Sequence, residues 1–179
     1  LGLQHAHEKG LSHRSSPGRA PVRARRKLQH AHEKGLSHRG LTPAELLVEL
    51  PPAGRPLVKV ASFGLGRLTA LAAGQKSAVV GADPADYLAP EQFRSPGTGG
   101  PAADVYALGC VLHFLLTGQP PFPGGTAGDK AKRHLFEPAP AVTRPDVPPA
   151  VAALVAALLA KQSAARPSAA DVAAALAPY

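Results

Sequence analysis

The amino-acid sequence predicts an α+β domain that is mainly helical and contains a short β-hairpin and a central buried helix. The run VYALGCVLHFLLT at 105–117 indicates the central helix, because its continuous apolar character implies burial on nearly all sides. Two alanine-rich stretches, at 151–162 and 168–177, predict further helices. The hairpin is indicated by LLVEL at 46–50 and LVKVAS at 57–62, which are separated by the turn sequence PPAGRP.

The N-terminal region differs in composition from the rest. Residues 15–27 combine proline, glycine and serine with five cations and few apolar side chains, so we expect an unstructured basic segment there. The sequence LQHAHEKGLSHR occurs at 3–14 and again, identically, at 28–39. A structural repeat would continue beyond two copies, so we interpret this as a local duplication or an error of sequence assembly. We expect a basic segment at 1–27 and one domain at 28–179.

The remaining elements follow from local signals. A short helix is predicted at 28–34 and is stopped by Gly35. Residues 63–101 are rich in glycine, alanine and proline and have no sustained period, which predicts a long loop. Asp104 is expected to cap or begin the central helix, and Gly118 to end it.

Towards the C-terminus, the proline-rich stretch 138–149 is expected to be extended. Ser168 is a suitable N-cap for the last helix, with Asp171 three residues later in the place of a capping box. The C-terminal half is therefore predicted to be a helical bundle.

Composition restricts the class of protein. Residues 1–40 hold nine lysines and arginines against two glutamates, a net +7, whereas the other residues hold eleven against ten, a net +1. The basicity is local and lacks interleaved aromatic residues, so we expect no nucleic-acid partner. The single cysteine, Cys110, cannot form an internal disulfide, and no apolar run is long enough to span a bilayer. We expect a cytoplasmic monomer.

Five short segments occur in the order of a known family: LSHRGLTPAELLV, VKVASFG, DYLAPEQ, DVYALGC and AARPSA. With this order and spacing, residues 28–179 resemble the bacterial serine/threonine protein kinases of the eukaryotic type, from the catalytic loop to the end of the domain. The resemblance implies a protein-kinase-like C-lobe. The family's N-lobe, with its glycine-rich loop and nucleotide-contacting lysine, has no counterpart before residue 28, and the chain has no methionine. We therefore expect the N-lobe to be missing from a truncated sequence.

The resemblance also identifies the positions that kinase chemistry needs. The family's catalytic loop carries a proton-accepting aspartate, a phosphate-contacting lysine and a metal-binding asparagine, and these positions hold Gly40, Thr42 and Glu45. The main metal-binding aspartate is replaced by Ser62. Losing one preorganised electrostatic group costs roughly 100- to 1000-fold in rate. We therefore expect no intact catalytic, cofactor-binding or metal-binding residue, and no cofactor, although the family uses ATP and magnesium.

Residues that support the fold in this family are retained. In the family, the counterpart of Asp104 hydrogen-bonds the catalytic-loop backbone, and the counterparts of Glu91 and Arg166 form a largely buried ion bridge. Removing one partner of such a bridge costs about 3–5 kcal/mol, so their joint presence predicts that the lower lobe still folds. The retained positions are His38, Arg39, Phe63, Gly64, Glu91, Asp104 and Arg166.

These observations favour a catalytically degenerate kinase-like domain that is not an active enzyme and acts as a protein-binding scaffold. One alternative is part of a serine/threonine kinase that is completed by a missing N-lobe and transfers phosphate from ATP. Another alternative is a non-functional gene fragment, which the duplication and the several lost residues favour.

Overall fold

The computed structural model describes residues 22–50, 57–61 and 83–179, and it has the mainly helical α+β architecture that the sequence predicts. Three short 3-10 helices, at Pro43–Glu45, Pro84–Asp86 and Ser163–Ala165, connect the longer elements. The described α-helices and strands are, in chain order, α1 (Val22–Glu33), β1 (Leu46–Glu49), β2 (Leu57–Val60), α2 (Pro90–Arg94), α3 (Pro101–Thr117), α4 (Ala127–Phe136), α5 (Pro149–Leu158) and α6 (Ala169–Ala175).

Helix α1 begins at Val22, six residues before the predicted start at Leu28. The prediction of an unstructured segment is therefore wrong for residues 22–27. Arginine, lysine and alanine all have high helix propensity, so the sequence VRARRK extends the helix in spite of its charge. The helix ends at Glu33, and Gly35 follows with a φ of +72°, a left-handed conformation that suits the predicted stop.

The predicted hairpin is confirmed. Strands β1 and β2 are antiparallel, with Leu46 opposite Val60 and Glu49 opposite Leu57. Beyond the last pair, the Ala61 N–H donates a 2.9 Å hydrogen bond to the Glu45 carbonyl. This bond fixes the end of β2 against the segment that leads into β1.

Helix α3 is the predicted central buried helix, and its start differs from the prediction. Pro101 is the first residue and Gly100 the N-cap, so Asp104 lies in the first turn and is not the cap. Proline suits this position because its fixed φ matches the helix and its missing N–H would be unpaired there anyway. Gly118 ends the helix as predicted, with a φ of +80° and a 2.8 Å bond from its N–H to the Phe114 carbonyl.

The hydrophobic core surrounds α3. Helix α5 packs on α3, and α1 packs on β2 and α6. The most deeply buried apolar side chains come from several elements and pack together in one hydrophobic cluster. They include Leu41, Tyr106, Val111, Leu158 and Val172, each at most 1% exposed. Leu41 belongs to this core, so the segment 38–45 contacts it directly.

Contact between α3 and α5 depends on the absence of a side chain at Gly109. A Cβ there would lie 2.8 Å from the Leu158 Cβ and 3.1 Å from the Leu159 Cδ2. We expect Gly109→Ala to lower the free energy of unfolding by about 1–3 kcal/mol through overpacking. Gly128→Ala, at an exposed position of α4 where the nearest atom would lie 3.7 Å away, is the matched control and should be neutral or stabilising. Equal urea midpoints for the two variants would contradict this account of the packing.

One prediction about the remaining connections needs correction. The predicted loop at 63–101 contains α2 and the 3-10 helix Pro84–Asp86, while residues 62–82 lie outside the described part of the chain. Proline begins both of these helices, and its fixed φ favours the helical conformation at that position.

Helix α4 was not predicted at all. Its signal is a capping box in which Thr126 accepts from the Asp129 N–H while the Asp129 carboxylate accepts from the Thr126 N–H. The same arrangement was predicted for Ser168 and Asp171 and is confirmed there. The proline-rich stretch from 138 to 148 contains no helix or strand, and α5 begins at Pro149, two residues before the predicted start.

Candidate functional site

The carboxylate of Asp104 lies under the segment that contains His38 and Arg39. One oxygen, Oδ2, accepts a 2.7 Å hydrogen bond from the His38 N–H, and the other, Oδ1, accepts a 2.7 Å bond from the Arg39 N–H. The Asp104 side chain is fully buried. A buried carboxylate is stable only where its oxygens are satisfied, and these two backbone bonds satisfy both. Through the Asp104 side chain, helix α3 therefore holds this loop by the loop's own backbone amides.

His32 of α1 is a third partner of the same carboxylate. Its Nε2 lies 2.8 Å from the Asp104 Oδ2, and only 11% of its side chain is exposed. This contact was not predicted from the sequence. Helical spacing could have shown that His32 faces the core, because it is four residues after buried Leu28 and shares its face of the helix, but it does not identify Asp104 as the partner.

Two further contacts fix the loop around His38 and Arg39. The His38 Nε2 lies 2.8 Å from the carbonyl oxygen of Ala61, at the end of β2. Arg39 has a φ of +65°, an unfavourable left-handed conformation for a residue other than glycine. Its carbonyl accepts a 3.1 Å bond from the Gln92 Nε2, so the strained residue is held from both sides. The backbone here is preorganised by groups far away in the sequence.

The residues after Arg39 form a local cap. The Glu45 Oε2 accepts a 2.8 Å bond from the Thr42 N–H and a second bond from the Thr42 hydroxyl. Within the described loop, Glu45 is the one carboxylate that follows Gly40. Magnesium needs several oxygen ligands in octahedral geometry, and a single carboxylate engaged in a capping box does not fit that need.

Three sequence-predicted residues, Ser62, Phe63 and Gly64, lie outside the described residues. Ala61, which immediately precedes them, is described and is bonded to both His38 and the Glu45 backbone. The chain therefore enters the 62–64 segment next to the loop that Asp104 holds.

Glu91 and Arg166 form a two-pronged ion pair. The Arg166 Nη1 lies 2.7 Å from Oε1 and its Nη2 lies 2.9 Å from Oε2, and the Arg166 side chain is fully buried. The guanidinium also donates to the carbonyls of Ala160, Lys161 and Ala102, and it lies over the Tyr106 ring. Burial is the largest single influence and raises the pKa of Glu91, but the hydrogen bonds from Arg166, a backbone hydrogen bond and the charges of Arg166 and Arg94 together lower that pKa below its ordinary value.

A second ion cluster, which was not predicted from the sequence, joins α4 to the 3-10 helix before α2. The Lys130 Nζ donates a 2.7 Å bond to the Asp83 Oδ2 and forms an ion pair with the Asp86 Oδ1 at 2.6 Å, although the angle of the latter is not that of a hydrogen bond. Both Lys130 and Asp86 are about 5% exposed. Burial raises the pKa of Asp86 in spite of the neighbouring ammonium.

His134 of α4 is fully buried among aromatic rings. Its Nδ1 lies 2.9 Å from the Tyr106 hydroxyl, and the rings of Phe93 and Phe122 lie 5.4 and 4.9 Å away. Burial and the nearby cation Lys161 lower the pKa of His134 to about 3, so its imidazole is neutral at pH 7. The role of His134 is therefore to pack α4 against α3.

No group of three or more histidine, cysteine, aspartate or glutamate side chains within 22–50, 57–61 and 83–179 is arranged to hold a metal ion. The helices of the same ranges include none that is both long and apolar enough to cross a bilayer.

Comparison with known proteins identifies the architecture. The protein kinase domain family matches residues 22–176. Among curated relatives, serine/threonine-protein kinase PknB of Mycolicibacterium smegmatis is 44% identical over 109 residues, which cover 58% of this chain and 17% of the relative. PknB of Mycobacterium tuberculosis is 43% identical over 83 residues, covering 45% and 13%. PknH of Mycobacterium bovis is 44% identical over 78 residues, covering 42% and 13%. The matched segments are less than a fifth of the length of these relatives.

Proposed function

The chain belongs to the protein kinase family, and from this premise we propose that it is a kinase-fold module that binds another protein and does not transfer phosphate. The relatives are named as serine/threonine kinases, yet the aligned segments are a small part of them. Activity, substrates and partners of the whole protein are therefore part of the proposal.

The observation that carries the proposal is the composition of the loop after Arg39. Gly40 stands at the family's proton-accepting position and has no side chain that could orient or deprotonate a hydroxyl. Thr42 stands at the phosphate-contacting position, and its hydroxyl is bonded to Glu45. Asp104 still holds the backbone of this loop, but the side chains that phosphate transfer needs are absent. The loop therefore keeps its conformation and lacks its catalytic groups.

A binding role is supported by the contacts that maintain the fold. Both oxygens of Asp104 and both oxygens of Glu91 have hydrogen-bond partners. These contacts support a folded domain, and a folded domain offers a defined surface for binding. The same contacts also favour the second candidate, part of a serine/threonine kinase whose remaining groups come from another segment. Phosphate transfer distinguishes the two. The expectations of a monomer, of a cytoplasmic location and of no nucleic-acid partner stay predictions.

Nucleotide binding is the first test. The full protein should show no change in Tm when ATP and magnesium are added, because the residues at the metal positions do not suit the ion. A functional site at 100 times its Kd would stabilise the fold by about 2.7 kcal/mol, a rise of several degrees. A saturable rise that needs magnesium would overturn the proposed loss of this site, and Gly40→Ala should behave like the wild type.

The binding role needs its own measurement. Affinity purification of the full protein from its own cells should retain the same partner with wild type and with Gly40→Ala, since a binding surface does not need the catalytic position. Arg166→Met, which removes a buried support of the fold, should release that partner. Retention of nothing by the folded wild type would refute the scaffold role.

A further inference from the structure

Strand β1 is the outer strand of the hairpin. Within the described residues the sheet has two strands, so β1 has a neighbouring strand on one side only. Helix α1 packs on β2, and burial falls from β2 to β1. Val58 of β2 is buried, whereas Val48, which lies opposite it, is 60% exposed. The far side of β1 is therefore a sheet edge at the surface.

The hydrogen bond from the Ala61 N–H to the Glu45 carbonyl shows which backbone groups of β1 face this edge. In an antiparallel pair, positions that bond to the partner strand alternate with positions that do not. Because Glu45 bonds to β2, Leu47 also bonds to β2 and Val48 does not. The N–H and C=O of Val48 therefore point away from β2, where none of the described residues forms a hydrogen bond with them.

Apolar side chains are exposed on both faces of this edge. Successive residues of a strand point to opposite faces, and both Leu47, at 55% exposed, and Val48 are accessible, as is Leu50 just beyond the strand at 73%. Proteins usually protect a sheet edge with proline, lysine or a bulge. Strand β1 contains neither residue, and its one charged residue, Glu49, is paired with Lys59 at 2.6 Å. The edge can therefore accept another strand.

We propose that the partner of the kinase-fold module adds an extended strand, with apolar residues at alternate positions, to the β1 edge. The proposal rests on the binding role of the module and names both the surface and the kind of partner. Main-chain hydrogen bonds to Val48 supply affinity in this mode of recognition, and contacts with Leu47 and Val48 supply selectivity.

The size of the surface favours a single strand over a second copy of this chain. The exposed parts of Leu47, Val48 and Leu50 amount to roughly 300 Å², the size of patch that is often functional on a monomer. A stable dimer needs about 800 Å² from each partner. An added strand needs less side-chain area, because backbone hydrogen bonds contribute to its binding.

A designed peptide tests the edge directly. The probe is a short fluorescent peptide in which valine and threonine alternate between terminal lysines, and its control has every amide between the lysines N-methylated. Fluorescence anisotropy with the full protein should show saturable binding of the probe. N-methylation should weaken that binding at least about tenfold, because it removes the backbone donors and keeps the side chains. Hydrogen exchange of the Val48 amide should be faster than that of the Leu47 amide, and the probe should slow it.

Val48→Pro removes the outward N–H from the protein. Proline is tolerated on an edge strand where its nitrogen faces solvent, so the urea midpoint should change little while the affinity for the probe falls at least about tenfold. Phe136→Ala removes a 74% exposed apolar side chain from α4 and is the control, which should bind the probe like the wild type.

Three results would overturn the proposal: no saturable binding of the probe up to about 1 mM, equal affinity for the probe and its N-methylated form, or undiminished binding by a folded Val48→Pro variant. The N-methylated peptide decides the question even where the proline variant is unfolded. Retention of a partner in the affinity purification without binding of the probe would refute β1 as the site and leave the binding role of the module intact.

Discussion

Arg166→Met is expected to lower the free energy of unfolding by about 3–5 kcal/mol, the range typical of removing one partner from a buried ion pair. The arginine side chain is fully buried and donates to both Glu91 oxygens. Its loss removes the guanidinium partner of the Glu91 carboxylate and one hydrogen-bond donor from each of three backbone carbonyls. Urea denaturation of the two proteins measures the difference.

Two controls distinguish the effect of breaking the buried ion pair from the effect of removing any positive charge. Arg144→Met removes an exposed arginine that pairs with Asp146 and should cost less than about 1 kcal/mol. Glu91→Leu combined with Arg166→Met should recover part of the loss, because no buried charge is then left unpaired. A loss of the same size for Arg144→Met and Arg166→Met would contradict a special role for the buried pair.

The same ion pair predicts sensitivity to acid. The pKa of Glu91 is lowered in the folded protein, so the pair contributes stability that is fully present above the ordinary glutamate pKa of 4.5 and is lost as the pH falls through the folded value. The stability difference between wild type and the double variant should therefore shrink in acid below about pH 4.5.

Asp104→Leu is expected to cost about 3 kcal/mol or more, because it leaves two backbone amides and the His32 ring without their acceptor. Asp104→Asn should be milder, since it keeps one carbonyl oxygen. Hydrogen exchange of the His38 and Arg39 amides should accelerate in Asp104→Leu beyond that of the hairpin amides. His32→Ala removes only the third contact and should leave those two amides protected. Unchanged exchange in Asp104→Leu would show that another group holds the loop.

Local sequence signals predicted part of this structure well. The Ser168–Asp171 capping box and the Gly118 stop depend on neighbouring residues, and both are confirmed. The early start of α1 at Val22 was missed because charge and flanking prolines suggested an unstructured segment, whereas propensity favoured a helix. For residues 22–27, amino-acid composition predicted an unstructured segment and helix propensity predicted a helix, and the structure agrees with helix propensity.

Long-range polar contacts could not be read from the sequence. Lys130 meets Asp83 across 47 residues, and His32 meets Asp104 across 72. Which residues pair depends on how the helices pack, and no local sequence pattern predicts the partner of either residue. The Glu91–Arg166 pair was expected only because five ordered segments resemble a family in which that pair is known.

Transfer of radiolabelled phosphate from ATP tests the proposed loss of kinase chemistry most directly. The full protein, its Gly40→Ala variant and a Gly40→Asp/Thr42→Lys/Ser62→Asp variant would be incubated with ATP, magnesium and a serine- and threonine-containing acceptor protein. We expect wild type and Gly40→Ala to match the heat-denatured blank, because position 40 offers no proton acceptor. Labelled phosphoserine or phosphothreonine, formed by wild type at constant specific activity through two purification steps, would contradict the proposal.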